Sequence, residues 1–166
     1  MKQIFVRLDR CTGCHTCELA CAVEHSASKN LFAAIFETPL PRKRLWVEQA
    51  ADRKFPILCR HCEDAPCLAA CISGAIYRDP AREGVVMQRS EKCIGCWTCV
   101  MVCPYGVVGR QTNGRTVAVK CDRCPDLETP ACVESCPTRA LVYAEVEEFS
   151  RDLRRGYAAA IAASGG

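Results

Sequence analysis

The chain has 166 residues, a formal charge of +3, and a composition that is 25% charged and 49% hydrophobic with its 16 cysteines counted as apolar. That length holds one domain or two very small ones, and the apolar supply without the cysteines is modest, so the fold must lean on cross-links or metal rather than on a large core. So small a positive charge is no nucleic-acid signature, and it would turn negative once metal clusters with their thiolates were counted.

The opening residues Met1–Leu8 are too short, and too interrupted by Arg7, to be a secretory signal, and no apolar run reaches membrane-spanning length. The expected setting is the cytoplasm, near a membrane only through a partner complex; there a cysteine-rich chain favours metal over disulfides. Gln3–Arg7 reads as a short strand. It delivers Cys11, Cys14, Cys17 and Cys21, spaced C-x2-C-x2-C-x3-C, with a short helix continuing through Ala22–Glu24. Pro39, Pro41 and the basic Arg42-Lys43-Arg44 within residues 30–54 argue for an exposed loop, followed by a strand at Leu45–Glu48.

The second group is Cys59, Cys62, Cys67 and Cys71, with its middle gap widened to four residues. Gly74–Tyr77 and Gly84–Met87 read as a hairpin around Asp79-Pro80. The third group, Cys93, Cys96, Cys99 and Cys103, is followed by Pro104. This C-x2-C-x2-C-x3-C-P run is the bacterial ferredoxin pattern, in which three thiolates wrap one cubane and the fourth reaches another. The proline suits the first turn of a helix, because its missing N–H has no partner to lose there. Asn113-Gly114 between apolar runs is a strong hairpin signal. The fourth group, Cys121, Cys124, Cys132 and Cys136, ends in Pro137; Ala140–Tyr143 then reads as a strand and Glu147–Ala163 as a helix.

If each group gives three cysteines to its own cluster and one to a partner's, the arithmetic closes without remainder. Groups two and three are adjacent, so groups one and four must meet in space. The expected ligand sets are Cys11, Cys14, Cys17 with Cys136; Cys121, Cys124, Cys132 with Cys21; Cys59, Cys62, Cys67 with Cys103; and Cys93, Cys96, Cys99 with Cys71. These hold four [4Fe–4S] clusters. The fold class is α+β: two bacterial-ferredoxin-like units of short hairpins and short helices, one inserted in the other. Residues 1–30 and 106–146 form the outer unit, 31–55 a linker or partner loop, 56–105 the inner unit, and 147–166 a C-terminal helix and tail. Structural zinc favours separated C-x2-C pairs rather than such tight runs, and a disulfide scaffold needs an oxidising compartment. His15 and His61 lie inside cysteine loops, but four cysteines per cluster leave them no ligand role. Trp97 is placed to shield a cluster from water. Arg60, Lys92, Lys120 and Arg123 flank ligands, where they either offset cluster charge or are simply solvated.

With its cysteines in this order the chain resembles the four-cluster ferredoxin-like electron-transfer subunits of dimethyl sulfoxide reductase, formate dehydrogenase and hydrogenase complexes, over residues 3–145. The segments RCTGCHTCELAC, PLPRKRLWVE and ILCRHCEDAPCLAAC are most similar to the CooF-type iron–sulfur protein that accompanies nickel carbon monoxide dehydrogenase. That resemblance implies an electron wire without a substrate site of its own. Carbon monoxide dehydrogenase or another redox enzyme would be the donor, and a hydrogenase or flavin-dependent NAD(P) oxidoreductase the acceptor, with no nucleic acid and no direct membrane span. The alternative within the superfamily is the iron–sulfur subunit of a hydrogenase, formate dehydrogenase or molybdopterin oxidoreductase complex. A catalytic iron–sulfur enzyme with an open iron site would need a cluster short of one cysteine, which the count does not leave.

Overall fold

The computed structural model describes residues 2–164. Among them, eight short strands pair into four two-stranded antiparallel sheets. The strands are β1 (Gln3–Val6), β2 (Leu45–Ala50), β3 (Arg53–Leu58), β4 (Ile76–Asp79), β5 (Val85–Gln88), β6 (Gly109–Asn113), β7 (Arg115–Val119) and β8 (Leu141–Ala144). The helices are α1 (Thr16–Glu24), α2 (Leu31–Ala34), α3 (Pro66–Ala69), α4 (Thr98–Met101), α5 (Ala131–Glu134) and α6 (Val146–Ser164). This is a small α+β protein of short strands and short helices.

Three sheets are local hairpins, two of them closed by residues that suit the turn, while the third turns through Ala51 at φ +52°. Gly114, at φ +72°, turns β6 into β7 after Asn113. Asp79 accepts the Ala81 N–H at the turn between β4 and β5, and Arg78 donates back to the Gly84 carbonyl. The fourth sheet is not local: β1 pairs with β8, Ile4 opposite Tyr143 and Val6 opposite Leu141, so opposite ends of the chain meet. The β2–β3 hairpin departs from the sequence reading, which stopped β2 at Glu48 and missed β3. The charged Asp52-Arg53-Lys54 hides a strand, and Pro56 argues against one. Yet β3 is the edge of a two-stranded ribbon, where a residue without an N–H is tolerated.

Buried apolar residues collect in two clusters. One joins Ile76, Val86, Val108, Val117 and Ala118 to Cys93 and Cys99, with Cys62, Cys67, Cys71 and Cys103 packed against it. The other joins Ile4, Leu45, Val47, Leu58 and Leu141 to Cys17, Cys21 and Cys132, with Cys11 and Cys136 alongside. Each core therefore mixes aliphatic side chains with the cysteines of two groups. Helix α6 is anchored at its start, where Phe149 stacks on Phe5 at 4.2 Å between ring centres; none of its residues is buried.

A backbone repeat runs through all four cysteine groups. The residue before the second cysteine has a positive φ each time: Gly13 at +73°, His61 at +49°, Gly95 at +72° and Arg123 at +59°. This left-handed residue turns the loop between the first two cysteines of each group. Glycine adopts it freely, whereas a side chain there costs about 1–2 kcal/mol. At Gly95 space is tight for a side chain as well, since a Cβ would lie 3.0 Å from the Thr116 carbonyl oxygen.

Two outcomes are expected from this packing. Leu141→Ala, which empties a site only 2% exposed between the first and last strands, should destabilise the loaded protein by about 2–5 kcal/mol in air-free denaturant unfolding. Gly95→Ala should cost about 1–2 kcal/mol from its backbone angle alone, read by the same unfolding; an unchanged midpoint would show that the loop relaxes at no cost.

Candidate metal centre

The cysteine loops are built alike. An extended stretch brings in the first cysteine, the left-handed turn places the second, and a short helix carries the third. Helices α1, α3, α4 and α5 hold Cys17, Cys67, Cys99 and Cys132 respectively, and Cys21 lies one turn further along α1. Cys71, Cys103 and Cys136 each follow just after the end of a helix.

The thiols gather in fours. Cys11, Cys14, Cys17 and Cys136 line one small cavity. Cys59, Cys62, Cys67 and Cys103 line a second, with Lys120 and His61 in its wall. The Cys21 thiol lies close enough to Cys121 and Cys124 for their charges to raise its pKa, and Cys132 responds to all three. Cys99 is affected in the same way by Cys93, Cys71 and Cys96. Charges also act between foursomes: Cys17 on Cys132, Cys59 on Cys121, and Cys67 on Cys99. These pairs give the four groups an order, and Cys14 and Cys96, in the first and last of them, are exposed.

The surroundings suit thiolates rather than thiols. Backbone N–H groups donate to six of the sulfurs. Arg44 serves Cys21 at 3.3 Å, Ile76 serves Cys71 at 3.3 Å, Ala118 serves Cys93 at 3.4 Å and Ala140 serves Cys136 at 3.2 Å. The left-handed His61 and Arg123 serve Cys59 at 3.5 Å and Cys121 at 3.4 Å. Burial opposes ionisation. It pushes Cys17 and Cys99 up to about 11 and Cys21 and Cys121 up to about 12, with neighbouring cysteines adding to the shift. A row of buried, mutually repelling thiols with N–H donors already in place is a site for a cation-rich group that takes thiolate ligands. Iron–sulfur clusters fit that donor set.

Asp122, between Cys121 and Cys124, ties this site to the rest of the fold. Its carboxylate accepts from the His25 ring at 3.1 Å, from the Arg44 guanidinium and from the Cys124 N–H at 3.0 Å. Burial would raise its pKa, but the His25 hydrogen bond and the Arg44 charge outweigh that and hold it well below the usual carboxylate range. His25 also bonds the Cys21 carbonyl at 2.7 Å. The basic run at residues 42–44 is thus largely engaged within the chain. Lys43 pairs with Glu18 at 2.7 Å, Arg44 pairs with Asp122, and only Arg42 is exposed. The sequence reading passed over Asp122, His25 and Glu18, since lone polar residues without a spacing pattern carry no signal.

The cations beside the cysteines divide sharply. Arg60 and Lys92 are exposed, whereas Lys120 and Arg123 are 3% and 4% exposed. The Lys120 ammonium donates to the carbonyls of Val86 and Cys121, and the Arg123 guanidinium to that of Lys2. His61, 4% exposed, donates through Nδ1 to the Val86 carbonyl at 3.1 Å and leaves Nε2 without a partner. Burial first, then the charges of Lys120 and Arg123, push its pKa down to about 2. His15 is exposed and pairs with Glu18, and Trp97 is half-buried beside Cys96.

The comparisons with known proteins agree with this chemistry. Residues 52–146 match the family described as 4Fe-4S dicluster domain. An iron-sulfur protein of Rhodospirillum rubrum is 40% identical over 97% of this chain and 91% of its own length. The electron transport protein HydN of Escherichia coli (strain K12) is 39% identical over 92% of this chain and 94% of its own. A subunit of the anaerobic dimethyl sulfoxide reductase of the same strain is 36% identical over 95% of this chain and 79% of its own. The chain belongs to the 4Fe-4S dicluster domain family and carries multiple [4Fe–4S] clusters.

Proposed function

We propose that the chain is an electron-transfer subunit whose clusters form a wire across it. The observation that carries this reading is the succession of four cysteine foursomes, each near enough for its charge to reach the next, with an exposed cysteine in the first and in the last. When bound, each cluster supplies one-electron transfer, and the protein supplies position, insulation and charge. Cys11, Cys14, Cys17 and Cys136 hold one cluster at an end of the wire. Cys21, Cys121, Cys124 and Cys132 hold the next, and Cys59, Cys62, Cys67 and Cys103 the third. Cys71, Cys93, Cys96 and Cys99 hold the last. Residues 1–30 and 106–146 then form an outer ferredoxin-like unit and residues 56–105 an inner one. The β1–β8 pairing supports that division, although Val108, Val117 and Ala118 pack in the core of the inner unit. Residues 31–55 link the units, although β2 and the first half of β3 make this linker more ordered than a loop, and Leu45 and Val47 pack in the outer core.

Electrons enter through Cys14 or Cys96 and leave through the other end. The chain itself has no substrate to turn over, in keeping with relatives named as electron transport proteins or as part of a reductase. Among possible circuits, those names favour the iron–sulfur subunit of a hydrogenase-type, formate dehydrogenase-type or molybdopterin oxidoreductase complex. A carbon monoxide dehydrogenase donor has no comparable support. Among the described residues no helix is long and apolar enough to cross a membrane, and in this reading any membrane contact runs through a partner.

Iron and sulfide analysis of protein purified without air should give about sixteen irons per chain, four for each four-cysteine site. A value near twelve with a three-iron EPR signal would break the full assignment. Cys103→Ser should damage the cluster of Cys59, Cys62 and Cys67 and spare that of Cys93, Cys96 and Cys99. The opposite pattern would show that each loop completes its own cluster.

A further inference from the structure

At the residue before the second cysteine, the loops of Cys14 and Cys96, in the first and last foursomes, carry glycine, whereas the two middle loops carry His61 and Arg123. The left-handed backbone makes those side chains costly, so their presence calls for a compensating interaction. Both side chains are buried, His61 against the Val86 carbonyl and Arg123 against that of Lys2. Arg123 adjoins Cys121 and Cys124, and His61 adjoins Cys62 and lines the cavity of Cys59, Cys62, Cys67 and Cys103. Lys120 joins the two sites, since its ammonium bonds the carbonyl of Cys121 while its side chain lines the same cavity.

Lys120 and Arg123 are both buried, and their hydrogen bonds go to carbonyl oxygens. Among the described residues neither forms an ion pair with a carboxylate. A buried cation with only carbonyl partners is expensive unless an anion lies close by. Glu83 and Glu145 line an open cavity with Arg123, and the anionic groups that act most on it from the interior are the thiols of Cys121 and Cys59. Among the described residues no comparable pair of buried cations adjoins the foursomes that include Cys14 and Cys96; Lys92, next to Cys93, is in solvent.

We infer that Lys120 and Arg123 are positioning charges that raise the reduction potentials of the two middle clusters above those of the two end clusters. This rests on the four-cluster reading above. Each middle site takes one electron and becomes more negative by one charge, with no proton moved. The fixed cations favour that added charge through a low-dielectric wall, while water screens the ends. Electrons delivered one at a time thus collect in the interior of the wire, and the exposed ends stay oxidised and open to the donor.

The test is an EPR-monitored potentiometric titration of the full, cluster-loaded chain under strict anaerobiosis, with iron content measured first. Wild-type protein with well under sixteen irons would undo the four-cluster reading before any variant is compared. In fully loaded protein, Arg123→Gly restores the residue used in the end loops and relieves the backbone, so it should load normally. Both Arg123→Gly and Lys120→Met should lower the reduction equilibrium of two clusters by about tenfold, about 59 mV for a one-electron couple, and leave the other two in place. Lys120→Arg should keep all four values. Unmoved potentials, or an equal shift in all four, would overturn the inference. So would failure of Lys120→Met to load while Lys120→Arg loads, since that outcome makes the charge purely structural.

Discussion

Negative charge on sulfur inside a small protein is the constraint on which the rest of this structure depends. A buried thiolate is costly unless metal, cations and N–H donors face it. The chain meets that requirement several times over in 166 residues. Short loops aim backbone N–H groups at the sulfurs, and the strands that follow the cysteines supply several of them: Ile76 begins β4, and Ala118 lies in β7. The hairpins therefore do more than link one cysteine group to the next. They are part of the electrostatic lining of the sites.

The same constraint explains why the aliphatic core is divided. Neither cluster of buried residues is large, and each includes cysteines from two groups. Without metal, the buried thiols would repel one another on ionising and sit among few apolar neighbours. With it, the proposed ligand sets would cross-link distant parts of the chain, as a structural metal does in other small domains. The β1–β8 sheet, the α1–α5 packing and the Asp122 hub with His25 and Arg44 act in the same direction, joining the beginning of the chain to residues near its end.

Glycine and non-glycine residues at the repeated left-handed position show how one loop plan serves two environments. At Gly95 the neighbouring carbonyl crowds a side chain, and at Gly13 the Lys54 side chain does. At His61 and Arg123 there is room, and both side chains are buried. The glycine-bearing loops carry the exposed Cys14 and Cys96, while the other two adjoin the buried cations Lys120 and Arg123.

Much of this was legible in the sequence because cysteine spacing maps directly onto coordination geometry. The C-x2-C-x2-C-x3-C runs and the 16 cysteines indicate multiple iron–sulfur clusters rather than zinc. The Asn113-Gly114 hairpin, the first and last strands and the C-terminal helix were also readable, since turn residues and apolar periodicity are local. The β3 strand was not, because charged residues and Pro56 mask an edge strand that only its pairing with β2 reveals. Nor could sequence separate Lys120 and Arg123 from Arg60 and Lys92, four cations equally close to cysteines along the chain. Burial is a property of what packs over a residue, and only the tertiary structure brings the two halves together over the first pair and leaves the second in water.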